Sequence, residues 1–437
     1  MNNCVASALM KFVDESPSMF HAIANLAKML VDAGFEEVRM SDAFALKKGG
    51  SYFTTNNGSA IIAWKMGSSL KNGFRIIGSH SDSPTFKIKM SPEVCVKNHF
   101  LKLNTECYGG AIVSTWFDRP LSIAGRLTLK SKNVMMPEVR LVNIDRNLLI
   151  IPNLAIHMNR EVNDGFAFNK QKDTLPLLAM VNGAETKTQG AFISLLAKEM
   201  GVREDDILSY DLYLYDRMPG AFVGENNEFF SLPKIDNLGM AHPSIRALIE
   251  SKNCSFTQVS CVFDNEEIGS ATAAGAGSPF LSDVLKRIVI AEAKIEGSDE
   301  DGFELFQQAI ASSFLVSADQ AHGLHPNYEE KNDITNFPLM NKGPVVKLSA
   351  SMSYMSDAVS AAVFREVCNK AAVPCQTFVN RSDMRGGSTI GPITMGNLNI
   401  RCVDVGNPIL SMHSIRELGG VSDQEYIEKA FKQFYTD

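Results

Sequence analysis

Apolar positions along the chain change their spacing in distinct stretches. Within a first fifty residues that reads as helical, Met19, Ile23, Leu26, Ala27 and Leu30 recur at helical intervals. Ser18 stands where a cap belongs and Gly34 ends the run. Short β-rich runs follow at 61–64 and 74–77, the second leading into Gly78-Ser79-His80-Ser81-Asp82-Ser83-Pro84. From about 91 to 234 the text changes: strand-like pieces at 123–129, 138–144 and 212–215 lie among Gly, Asn and Pro, with one helical stretch at 190–200. After Pro233 strands and helices alternate again. Strands are predicted at 258–263, 314–317, 345–348, 376–379 and 400–405, and helices at 279–295, 302–313, 356–371 and 424–435.

This pattern predicts an α/β protein, with a central mixed β-sheet flanked by helices built from 1–90 and 235–437, and a β-rich insertion at 91–234. Polar clusters recur at the ends of its predicted strands: His80 and Asp82, then Asp264 to Glu267, then Asp319, then His413. Ligand sites of open α/β sheets lie beyond the carboxyl ends of the strands, so distant parts of the chain are expected to meet at one rim.

Composition narrows the choices. With 437 residues, 45% hydrophobic and 21% charged, the chain is long and apolar enough for a sizeable core. Its 42 basic and 49 acidic residues leave a net charge of -7, which gives no support to a nucleic-acid partner or an anionic membrane surface. No run of about 18 apolar residues predicts a membrane span, and no secretory leader is expected. The eight cysteines form no CxxC pair, so they read as reduced thiols of a cytoplasmic protein.

Several clusters carry possible chemistry. Asp264-Asn265-Glu266-Glu267 places three acids in four positions, which repel one another unless a cation or shared proton relieves them. A solvated helix start would also tolerate them. In His80-Ser81-Asp82 the two outer residues share one side of an extended segment, so Asp82 is placed to hold the second ring nitrogen of a ligating histidine. Asp319, His322 and His325 follow at intervals of three, with Gly323 and Pro326 arguing against a long helix. Asp236, in Lys234-Ile235-Asp236-Asn237-Leu238, reads from its own context as a turn or cap residue. Dinucleotide, Walker and GxSxG motifs are lacking. Histidines with several carboxylates match the ligands of a metal hydrolase, zinc first and cobalt or manganese admissible. A metallo-carboxypeptidase or amidohydrolase, a catalytically silent shell protein and a carboxylate-pair glycosidase are the rival classes.

GSHSDSPTFKIK, KIDNL, DNEEIGS, SADQAHGLHPNY, GGSTIGPI and SMHSIRE, in that order, resemble the motifs of the M18 metallopeptidases, the aspartyl aminopeptidase family. The similarity spans essentially the whole chain. It implies a zinc-exopeptidase-type fold with an inserted dimerisation domain, and a two-metal aminopeptidase acting on peptides, with acidic N-termini a candidate preference and neutral or basic ones the alternative. By motif it implies His80, Asp236, Glu267, Asp319 and His413 as metal ligands, with Asp236 bridging, and leaves open which metal Glu267 and Asp319 each serve. It further implies Glu266 as general base and Asp82 as the group holding His80. Family members form tetrahedral dodecamers from dimers, in which His157 resembles a residue reaching a neighbouring subunit's site. His322 and Lys347 are the candidates for the substrate pocket, Lys347 for attracting an acidic side chain.

Overall fold

The structure, a computed structural model, describes all residues except 1–3, 70–71, 182–187 and 385. Two segments show why its main sheet forms. Ala60–Lys65 and Thr257–Phe263 are buried along their whole length, as expected of strands covered on both faces. The nine-stranded sheet runs in the order Glu36–Glu37, Ser51–Asn56, Ala60–Lys65, Thr257–Phe263, Phe74–His80, Phe314–Ala318, Arg401–Gly406, Val345–Leu348, Gln376–Val379. Its middle four strands, Thr257–Phe263 through Arg401–Gly406, are mutually parallel. Antiparallel pairs flank them on both sides, so the sheet is mixed.

Alternation along these strands feeds two cores. Ile77, Val262 and Val316 join Leu26 of Met19–Asp32, Leu238 of Ile235–Glu250, Phe364 of Ala358–Lys370 and Phe431 of Val421–Phe434. Their neighbours Ile76, Cys261 and Leu315 pack on the other face with Leu285 of Phe280–Glu296, Phe306 of Gly302–Ala311 and Ile390. This is the α/β architecture read from the sequence.

Between Thr85 and Asp216 the chain builds a six-stranded antiparallel sheet in the order Glu138–Asn143, Leu121–Leu129, Ile207–Asp216, Thr85–Val96, Phe100–Tyr108, Leu177–Met180. Phe192 and Leu196 of helix Ala191–Met200 close one of its faces. The sheet starts ahead of residue 91. Ala221–Val223 and Phe229–Leu232 belong to a third, five-stranded sheet with Glu417–Gly420, Pro408–Leu410 and Ala321–His322. That small sheet carries segments around His322 and His413 to the rim of the large one.

The opening of the chain is helical for less than its first fifty residues. Helices Cys4–Asp14 and Met19–Asp32 are followed by Gly34 at a positive φ of 85°, which turns the chain into the short strand Glu36–Glu37. Ser18 precedes the second helix, but its hydroxyl bonds His21 Nδ1 at 2.8 Å instead of a backbone N–H. Among the described residues no helix is long and apolar enough to cross a membrane.

Candidate metal centre

Three of the parallel strands deliver His80, the Asp264–Glu267 turn and Asp319, while Asp236 comes from a helix start and His413 from beyond the small-sheet strand Pro408–Leu410. His80 is the last residue of Phe74–His80, with Phe263 as its partner on the neighbouring strand, so Asp264 to Glu267 emerge beside it. Asp319 follows Phe314–Ala318 on the other side, its N–H held by the Val405 carbonyl at 2.9 Å. Asp236 lies near the start of Ile235–Glu250, yet Lys234 occupies the cap position and Asp236 has non-helical dihedrals (φ -82°, ψ 106°). Its carboxylate thus turns into the rim and caps no helix. Asn237 fixes this bend by donating to the Ala318 carbonyl at 2.8 Å, and Ser83 donates to the Asp236 carbonyl at 2.8 Å.

The side chains converge in two groups that share Asp236. His80 Nε2 lies 3.5 Å from Asp236 Oδ1 and 3.6 Å from Asp319 Oδ1. His413 Nε2 lies 3.4 Å from Asp236 Oδ2 and 3.3 Å from Glu267 Oε2. Asp319 thus groups with His80, and Glu267 with His413. Zinc–ligand bonds of about 2.0–2.2 Å at tetrahedral angles put ligand atoms roughly 3.3–3.6 Å apart, which is the spacing of each histidine nitrogen from its two carboxylates. Asp236 Oδ1 and Glu267 Oε1 are buried without a hydrogen-bond partner, as oxygens waiting for a cation would be. Imidazole with carboxylate oxygens suits zinc, so the residues fit the ion.

Outer partners hold these groups in place. Asp82 is fully buried; one carboxylate oxygen lies 3.3 Å from His80 Nδ1, and its carbonyl oxygen 3.1 Å from the same nitrogen. The carboxylate accepts the Tyr108 hydroxyl at 2.7 Å and the N–H groups of Glu266 and Glu267 at 3.1 Å each. Glu417 accepts the Asp236 N–H and the His413 N–H, one on each oxygen, both at 2.9 Å. The outer nitrogen of His413 faces the Gly110 carbonyl at 3.2 Å.

Electrostatics follow from this crowding. Burial pushes the Glu266 carboxyl up to about 8; the imidazole of His80 works against that, and the carboxylates of Asp319, Asp236 and Asp82 add to it. Glu267 is raised well above its ordinary value by burial and by Asp236. Burial would raise Asp236 too, but the His413 and His80 imidazoles hold it far below the usual carboxylate range. His80 is raised despite its burial, by the Asp236, Asp319 and Asp82 carboxylates that face its ring. Glu266, Glu267, His80 and His413 thus keep protons around an ionised Asp236, and cation binding would displace the protons of the ligands among them.

The groups open on a cleft of about 560 Å³ lined by Glu266, His322, Lys347, Tyr354, Phe378 and the loop Gly387-Ser388-Thr389, among others. Lys347 is buried: it donates to the Gln320 carbonyl at 3.0 Å, lies 3.6 Å from Asp319 Oδ2 and sits 5.3 Å from the Tyr354 ring centre. His322 faces the cleft. His157 does not line it; it sits in an exposed turn of its own chain. Reasoning from sequence missed Tyr108, Gly110 and Glu417. Glu417 ends the SMHSIRE motif, so its place beside His413 was the available signal; Tyr108 and Gly110 gave none.

Comparison with known proteins bears on these observations. Residues 12–435 match the family model described as "Aminopeptidase I zinc metalloprotease (M18)". A "Probable M18 family aminopeptidase 2" of Clostridium acetobutylicum is 50% identical over 99% of this chain and 98% of its own. A chain of the cryo-EM structure of the Ape4 and Nbr1 complex superposes with a TM-score of 0.92 at 37% identity, covering 99% of this chain and 85% of that one. A dodecameric mApe1 of S. cerevisiae superposes at 0.84 with 25% identity, over 99% of this chain and 96% of that one. With matches of this extent, the chain belongs to the M18 family of zinc metallo-aminopeptidases.

Proposed function

We propose that the enzyme removes N-terminal residues, acidic ones preferred, from peptides by a two-metal mechanism. The observation that carries this reading is the sharing of Asp236, one oxygen toward His80 and Asp319, the other toward His413 and Glu267. In this reading His80, Asp319 and Asp236 hold one zinc ion and Asp236, Glu267 and His413 the other, with cobalt or manganese as substitutes. Such ions, when bound, supply Lewis acidity to a scissile carbonyl and make water nucleophilic near neutral pH.

The chain's own residues do the rest. Glu266, beside the ligands and open to the cleft, accepts a proton from the attacking water on its carboxylate and returns it to the leaving amine. Asp82 fixes the His80 ring through Nδ1. His322 and the Gly387-Ser388-Thr389 loop line the pocket and offer donors to the substrate carbonyl. Lys347 supplies the positive charge for an acidic side chain. The segment 91–234 is taken as a dimerisation module, and the dodecamer of the yeast relative supports a tetrahedral dodecamer here, where His157 reaches a neighbouring copy's cleft. A cytoplasmic location agrees with eight scattered cysteines.

A panel of chromogenic aminoacyl substrates, with zinc, cobalt or manganese returned to stripped enzyme, tests this. Turnover of free-amine substrates, fastest with Asp or Glu, and none of N-blocked peptides is expected. Cleavage of blocked peptides at a comparable rate refutes an aminopeptidase mechanism.

A further inference from the structure

We infer that the tip of the inserted sheet, Tyr108-Gly109-Gly110, is a positioning element of the metal centre, so that seating of the insert and cation binding are linked. The inference rests on the ligand roles proposed above. Both histidines have their outer nitrogen governed by this tip. For His80 the route runs through Asp82, whose carboxylate accepts the Tyr108 hydroxyl at 2.7 Å. That hydroxyl in turn accepts from Asn265 Nδ2 at 2.9 Å, tying the insert to the Asp264–Glu267 turn. For His413 the Gly110 carbonyl, 3.2 Å from Nδ1, is itself the partner.

Three further features argue for a fitted junction. Ile112 donates its N–H to the His413 carbonyl at 3.0 Å, and Ile415 donates to Thr115 Oγ1 at 3.1 Å, so the segment after the tip is stitched to the His413 loop. Gly109 has φ +71°, and a Cβ there would lie 3.1 Å from Glu267 Cβ. A Cβ on Gly110 would lie 3.2 Å from His413 Nδ1. The backbone of the insert therefore approaches two ligands as closely as glycine permits. Outer partners of ligating histidines fix ring orientation and basicity. If the seated insert favours cations, bound cations favour the seated insert by the same free energy.

The test is chelator-competition zinc titration of the full chain as wild type, Tyr108→Phe and Gly110→Ala. Tyr210→Phe is the control, because its hydroxyl donates at 2.7 Å to the Lys89 carbonyl in the same sheet and touches no ligand. Tyr108→Phe is expected to bind zinc about 10- to 100-fold more weakly than the control. Gly110→Ala is expected to weaken one of the two binding steps and spare the other, a selectivity that general loosening would not produce. Zinc should also slow amide exchange across 105–116 in the wild type. The inference is overturned if Tyr108→Phe and Gly110→Ala titrate like Tyr210→Phe and zinc leaves that exchange unchanged. Wild-type protein that takes up no zinc would refute the metal-centre reading itself, which separates the two failures.

Discussion

Replacing Lys347 with Met is the sharpest probe of the proposed selectivity. The ammonium has three donors. One reaches the Gln320 carbonyl at 3.0 Å, a second faces Asp319 Oδ2 at 3.6 Å, and the cleft takes the remainder. Two unit charges 4 Å apart at an effective dielectric near 20 attract by about 4 kcal/mol. Part of that attraction is already spent on Asp319, so a substrate carboxylate would gain roughly 2–3 kcal/mol, or about 30- to 150-fold in kcat/KM. Losing the lysine also leaves Asp319 without its counter-charge, which slows every substrate. Both effects are separated by measuring kcat/KM for N-terminal Asp and N-terminal Leu substrates and following their ratio. The ratio should drop by about 30- to 150-fold, whatever happens to the absolute rates. A ratio within a factor of about three of wild type would mean that Lys347 serves only the Asp319 network and contributes no selectivity.

Three further outcomes are expected. Glu266→Gln should keep its zinc, read by metal analysis, and lose about 10²–10⁴-fold in kcat, since the amide cannot accept the proton; near wild-type turnover rejects the role. Glu417→Gln turns one of the two acceptors facing the Asp236 and His413 N–H groups into a donor. The loss of about 1.5–3 kcal/mol should appear as roughly 10- to 150-fold weaker zinc binding, and an unchanged Kd speaks against it. In metal-stripped protein, stability should fall as pH rises from about 6.5 to 8. Burial, followed by neighbouring carboxylates, holds Glu266 and Glu417 up to about 8, so the folded chain keeps protons that the unfolded chain has already released. Burial, which lowers the buried His21 to about 4 and His242 to about 3, acts only below this window. Calorimetric melts in chelator should show Tm decreasing across the window; a rising Tm contradicts the assignment.

The sequence made the fold legible wherever burial was uniform. The 345–348 and 376–379 runs match the strands Val345–Leu348 and Gln376–Val379 end to end, and 74–77 falls short only because Gly78, Ser79 and His80 continue Phe74–His80 with polar text. Those three residues are buried by neighbouring strands, which no local pattern conveys. The predicted 212–215 run covers only part of Ile207–Asp216 because Leu208 and Ser209 are exposed and break the alternation. In the candidate site, strand-end acids and histidines were visible as clusters. Asp236 was not: its own neighbours suit a turn, and its orientation depends on Asn237 and Ala318, 81 residues away. The partition of Glu267 and Asp319 between the two histidines likewise depends on strand order, which motif order does not encode. Gly110 acts through a carbonyl, and any residue has one.

The parallel ladder around His80 has a consequence for how this enzyme can vary. Adjacent strands in such a ladder stand about 4.8 Å apart, and that interval is set by peptide geometry. The Glu266-Glu267 turn and Asp319 leave the two strands on either side of His80. Their separation is therefore ruled by the backbone and barely responds to side-chain replacement in the loops. Walls carried by the 321–328 and 386–391 stretches are free to drift toward other substrates while the hydrolytic hardware keeps its gauge. Moving these groups along the ladder would take a one-residue slip of a strand, a change that would also turn every core residue on it to the opposite face.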